Sequence, residues 1–85
     1  MKPAELIQAA RRAVAELTGL PAENVTSFAR DGEGWDIDVE VLELRRVPDT
    51  MDVMGTYRIT LDDDGEVQGF RRLRRYARGA SDEGD

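Results

Sequence analysis

The hydrophobic period of this chain changes once, from about 3.6 residues to two, and that change limits what it can fold into. Leu6, Ala10, Ala13, Val14 and Leu17 recur along one helical face, while Glu5, Gln8, Arg11, Arg12 and Glu16 lie on the other. Pro3 suits the first turn, and Gly19 followed by Leu20 and Pro21 is a stop, so the spacing predicts a helix over Pro3–Thr18. After it the apolar residues alternate. Val25–Arg30 reads as a short strand, and Asp31-Gly32 as a tight turn. In "WDIDVEVLELRRV" Trp35, Ile37, Val39 and Val41 alternate with Asp36, Asp38 and Glu40, one dry face and one wet. The phase slips at Leu42, which calls for a bulge near Val41–Leu42.

Pro48 and Asp49 make "RVPDTMD" a loop. Val53–Leu61 alternates again, with Tyr57, Ile59 and Leu61 inward and Thr56, Arg58 and Thr60 outward. In Val67–Arg78, Phe70, Leu73 and Tyr76 recur every three residues, which suits a helix face or a bulged strand. The short turn before it favours a strand beside Val53–Leu61. The sum is an α+β domain: one N-terminal amphipathic helix packed on an antiparallel meander of three to four strands. Residues 1–79 are expected to form a single domain, and 80–85 an acidic flexible tail.

Composition removes much chemistry. The 85 residues allow one core, with roughly 60% of the unfolded surface buried. There is no Cys and no His, which removes disulfides, thiolate sites and the commonest general base and metal ligand. No apolar run approaches the roughly 20 residues of a membrane span, and no apolar stretch follows Lys2 as in a signal peptide. The expected location is the cytoplasm.

"DDDGE" invites a calcium reading. With Gly65 at the sixth loop position, Arg71 falls at the twelfth, where a bidentate Glu is required. The match fails, and Asp64-Gly65 reads as a hairpin turn. The acidic stripe Asp36, Asp38, Glu40 and Glu43 lacks the two contrasting environments that paired catalytic carboxylates need. No enzyme, cofactor or metal is expected.

"FRRLRRYAR", Phe70 to Arg78, carries +5 in a chain of net charge −6, so the remainder carries −11. Phe70 and Tyr76 supply stacking faces for a nucleic acid, but the surrounding field disfavours phosphate. A second use is a cross-strand ladder in which Arg58, Arg72 and Arg74 answer Asp36, Asp38, Glu40 and Glu43. A third is docking, with arginines left over for an acidic partner. Trp35 and Tyr57 are assigned to the core.

The order Trp35, Val39-Glu40, Glu43, Arg46, Pro48, Asp52, Tyr57, Gly65 and then "FRRLRRYAR" resembles the gas vesicle protein O family (gas vesicle synthesis protein GvpO). The resemblance covers Gly34 to Arg78. Ile37 stands where the family pattern has Val, and Phe70 where it has Tyr. The resemblance implies an accessory protein for building gas vesicles, cytoplasmic and vesicle-associated, without known catalytic activity. Together with it, the arginine and tyrosine strip in an otherwise acidic domain leads to the expectation of a non-enzymatic adaptor or chaperone-like factor that binds other gas vesicle proteins, shell or accessory. The contact residues expected are Arg46, Arg72, Arg75, Tyr76 and Arg78, with Glu40 and Glu43 positioning them. The alternative is a regulator that binds nucleic acid through the arginine strip. A weak homodimer stays open as well.

Overall fold

The computed structural model describes residues 1–79. The tail expected over 80–85 lies outside the described residues. The order is α1 (Pro3–Thr18), β1 (Ala22–Asp31), β2 (Gly34–Leu44), a 3-10 turn (Asp49–Met51), β3 (Val53–Leu61) and β4 (Val67–Ala77). The strands form one antiparallel sheet in the order β1-β2-β3-β4. The last segment is thus a strand.

Helix α1 starts where Pro3 needs no N–H partner, and the Lys2 N–H donates to Glu5 Oε1 at 2.8 Å. It stops at Gly19, whose φ of 73° suits a residue without Cβ and whose N–H reaches Ala15 O at 2.8 Å. Leu6, Ala10 and Val14, one row of the helix, pack on Ile37, Val39, Val41, Ile59 and Leu61. All eight are 0–1% exposed. Burying each such branched side chain contributes about 1.5–3 kcal/mol.

The helix crosses the sheet diagonally. Its start lies at the β3–β4 turn, where the Met1 amino group donates to Asp63 O at 3.0 Å. Further along, the Arg11 guanidinium reaches Ala22 O at the opposite edge, at 3.3 Å. Its main contacts are with β1, β2 and β3. Leu17, expected in the core stripe, is 54% exposed because the last turn has run off the sheet. The corner formed by the end of β2 with β3 and β4 receives no helix.

Three local expectations are displaced. Strand β1 starts three residues earlier than the alternation suggests, because its pairing with β2 is irregular between Ala22 and Ser27. The bulge in β2 falls at Glu43, between the pairs Leu42↔Met54 and Leu44↔Val53. The β3–β4 turn is centred on Asp63 and Asp64, closed by Gly65 N–H to Asp62 O at 3.0 Å. Strand β4 has two extra residues, Gln68 between the pairs Leu61↔Val67 and Thr60↔Gly69, and Leu73 between the pairs Tyr57↔Arg72 and Thr56↔Arg74. The bulge at Leu73 explains the period of three: Phe70 lies on the helix side, Tyr76 on the other.

Candidate functional site: two carboxylate bridges across β3

Two residues beyond the buried Val41, Glu43 keeps the helix side, above Gly55, where a Cβ would collide with its carboxylate. With that room, the Glu43 side chain, 9% exposed, reaches across β3 to β4. Its oxygens receive Arg72 Nη1 at 3.3 Å and Arg75 Nε at 3.0 Å, and the Tyr57 hydroxyl donates to Oε2 at 2.8 Å. Phe70 stacks on Tyr57, with centroids 5.3 Å apart. A polar network thus fills the corner that the helix leaves bare.

A second bridge crosses the other face. The Tyr76 hydroxyl on β4 donates to Glu40 Oε2 on β2. Tyr76 is registered with Met54 and Glu40 with Thr56, so the bridge lies over both. This is why Thr56, outward by alternation, is 0% exposed, and Met54 only 2%. Beside it Arg58 forks Asp38 at 2.8 and 3.1 Å, and the Thr60 hydroxyl donates to Asp36 at 2.7 Å. Asp38, expected on a wet face, is buried at 7% by that fork.

A third group ties the end of β4. The Asp52 carboxylate accepts the Arg46 N–H at 2.7 Å and Arg78 Nε at 3.3 Å, and Arg78 Nη2 reaches Glu23 at 3.2 Å. A shallow cavity of about 270 Å³ opens between Leu44, Arg45, Arg46 and Val47. At the opposite end of the sheet Trp35 packs on the core, stacks on Phe28, and donates Nε1–H to Asp63 at 2.9 Å. That bond, with the one from Arg30, holds the Asp63 carboxyl below its ordinary range.

The seven residues expected at the site therefore fall in three places: Glu43 with Arg72 and Arg75, Glu40 with Tyr76, and Arg46 with Arg78. The expected ladder is real at Arg58–Asp38, yet Glu43 and Arg72 belong to the helix side, not to the acidic stripe. Sequence reasoning missed Tyr57, Gly55 and Asp52. The phase slip at Leu42 was the one available pointer to the first two. It also missed that Arg71 and Arg45 make no ion pair or hydrogen bond among the described residues. Arg71 lies directly opposite Arg58. No group of three or more potential metal-ligating side chains occurs among the described residues. What the arrangement offers is a set of guanidinium and phenol donors suited to anionic groups.

The Tyr57 phenol is pushed above its ordinary value of 10.0, by burial first and then by the Glu43 carboxylate, with Arg72 opposing. The fold therefore favours the neutral phenol. That stabilisation is complete below pH 10.0 and is lost as pH rises through the folded-state value. The tyrosinate absorbance that disappears in Tyr57→Phe is expected to emerge later than in the unfolded chain. Ionisation of Tyr57 at or below the ordinary value would contradict the network.

Comparison with known proteins places this geometry in a family. The chain is 52% identical over 80 residues to gas vesicle protein O of Streptomyces sp. (strain CB03234), covering 94% of this chain and 62% of that one. It is 44% identical over 70 residues to gas vesicle protein O1 of Halobacterium salinarum (82% and 59%), and 45% over 71 residues to gas vesicle protein O of Haloferax mediterranei (82% and 51%). The chain thus spans between 51% and 62% of the length of these relatives. No solved structure matches significantly. The sequence pattern of the gas vesicle synthesis protein GvpO matches residues 1–82, and the chain belongs to that family.

Proposed function

We propose that this domain acts in gas vesicle formation as a non-enzymatic adaptor that binds other gas vesicle proteins. The observation that carries the reading is Arg71. In a chain with 18 acidic and 12 basic residues, this exposed arginine has no carboxylate among the described residues and faces a second arginine across the sheet. Directly opposed like charges destabilise a strand pair, so neutralisation by the described residues does not account for it. The relatives are named gas vesicle proteins, which supports other gas vesicle proteins as the class of partner. Arg46, Arg72, Arg75, Tyr76 and Arg78 are the proposed contacts; Glu43 holds Arg72 and Arg75, Glu40 holds Tyr76, and Asp52 holds Arg78 and the Arg46 backbone. To these contacts we add Arg45 and Arg71. We place this work in or beside the assembling vesicle in the cytoplasm, a reading that membership of the gas vesicle family supports.

Crosslinking in cells that co-express the gas vesicle gene cluster tests the reading. Arg46→Glu combined with Arg71→Glu is expected to lower partner capture per folded molecule by about tenfold or more, the loss of one or two charge-assisted contacts. The melting temperature should stay within a few degrees, since both side chains are exposed. Unchanged capture by the folded variant would overturn the reading. Steeply salt-dependent binding of single-stranded RNA or duplex DNA in place of proteins would support a nucleic-acid regulator instead.

A further inference from the structure

We propose that an extended acidic segment of another protein adds to β4 as a fifth strand of the sheet, a mode of binding that rests on the adaptor reading above. Strand β4 closes one side of the sheet, so the N–H and C=O groups on its outer edge have no strand beside them among the described residues. Val67–Ala77 contains no proline, so each of the alternate residues whose N–H points away from β3 can donate.

The charges select the occupant. Val67–Ala77 holds four arginines and no carboxylate. Two copies joined edge to edge through β4 would set arginine against arginine, which disfavours that dimer. The other edge, β1, offers Glu23 and Asp31 against Arg30, too little to answer four guanidinium groups. Glu23 is moreover already held by Arg78. Neither edge of a second copy complements β4, and a separate acidic chain does.

Both faces of the edge ask for carboxylates. On the helix side Arg72 and Arg75 share the single Glu43. On the open side Arg71 stands next to Arg58, whose fork is filled by Asp38. Successive residues of a strand point to opposite faces, so the incoming segment needs acidic residues at neighbouring positions. The extra residues Gln68 and Leu73 divide the edge into the regular runs Gly69–Arg72 and Arg74–Ala77. The added strand is therefore short, with selectivity coming from its charges and direction from backbone hydrogen bonds.

Calorimetric titration of the intact chain with a short synthetic peptide of glutamate, valine and threonine, acidic on both faces when extended, tests this. Saturable binding is expected, with slowed amide exchange along Phe70–Ala77. Methylating alternate backbone nitrogens of the peptide removes donors and keeps the charge, and should weaken binding about tenfold or more. Arg71→Glu should do the same, with Arg71→Gln as the variant that removes charge without adding any. Equal binding of the methylated peptide would overturn strand addition while leaving adaptor binding intact. Absence of peptide binding, tighter binding of a uridine oligonucleotide, or a dimer that buries β4 would also overturn it. Failure of the adaptor reading itself is read separately, as loss of every partner crosslink.

Discussion

Gly55→Ala is expected to destabilise the domain by about 2–3 kcal/mol, a cost that largely disappears once Glu43 has been replaced. The Cβ introduced at Gly55 would meet Glu43 Oε2, Cδ and Cγ together, so the acidic side chain must leave its place. It cannot move freely, because Arg72, Arg75 and Tyr57 hold both oxygens. Glu43→Ala alone removes a carboxylate 9% exposed and leaves two arginines facing each other. Breaking a buried pair costs about 3–5 kcal/mol; with Arg72 and Arg75 47% and 52% exposed, hydration reduces this to about 2 kcal/mol. In the double variant the alanine at 55 occupies space that Glu43 no longer needs. Urea denaturation of the two single variants and the double variant measures the coupling. Additivity to within about 0.5 kcal/mol would show that Glu43 does not lie over Gly55 in solution.

The two bridges give β4 a status different from that of an ordinary edge strand. Glu43 crosses β3 on the helix side and Glu40 crosses it on the open side, each ending on a β4 residue. Strand β4 is thus fastened to β2 through side chains as well as to β3 through its backbone. Since α1 packs mainly on β1, β2 and β3, these bridges replace the apolar cover that a second helix would supply. A docking edge built this way stays registered while its outer backbone groups remain available. The arginines that hold the edge are also the ones proposed to receive a partner, so binding and register are coupled through Glu43.

The helix and strands β2 and β3 were legible because each is half-buried, which writes a period into the sequence. Strand β1 was legible only in part, since only Ala22, Val25 and Phe28 in it pack on the core and two irregular pairs interrupt them. The arginine strip announced β4, and its three-residue period was a bulge seen in one dimension. The division of the site between two faces was not legible. It depends on which residue absorbs each bulge, and shifting a bulge by one residue sends Glu43 to the opposite side. Tyr57 looked like core because its ring is core; its hydroxyl joins the network because Glu43 lies on the same face. That Arg71 has no carboxylate partner among the described residues was out of reach too, because it follows from the register that sets Arg58 opposite it.

Asp52 had no periodic pattern to betray it, yet Asp52→Ala is expected to cost about 3 kcal/mol, the largest loss at any polar position of this fold. Its residue exposure is 2%, and three hydrogen bonds converge on it. The carboxylate takes the Arg46 N–H at 2.7 Å and Arg78 Nε at 3.3 Å, and its backbone oxygen takes the Arg78 N–H at 2.7 Å. Arg78 continues to Glu23, so one carboxylate connects the loop before β3, the end of β4 and the start of β1. Alanine leaves the Arg46 N–H without its acceptor and half of the Arg78 pairing undone. Asparagine keeps an acceptor for Arg46 but loses the charge, so Asp52→Asn is expected to cost about half as much. Urea denaturation ranks the two variants, and faster amide exchange at both Arg46 and Arg78 in Asp52→Ala identifies the cause. Losses below about 0.5 kcal/mol in both would reduce Asp52 to an ordinary surface residue. Because Arg46 and Arg78 are both proposed contacts, the alanine variant should also bind partner more weakly at temperatures where it is still folded. The backbone of Arg46 and the guanidinium of Arg78 thus both depend on a residue that no partner would touch.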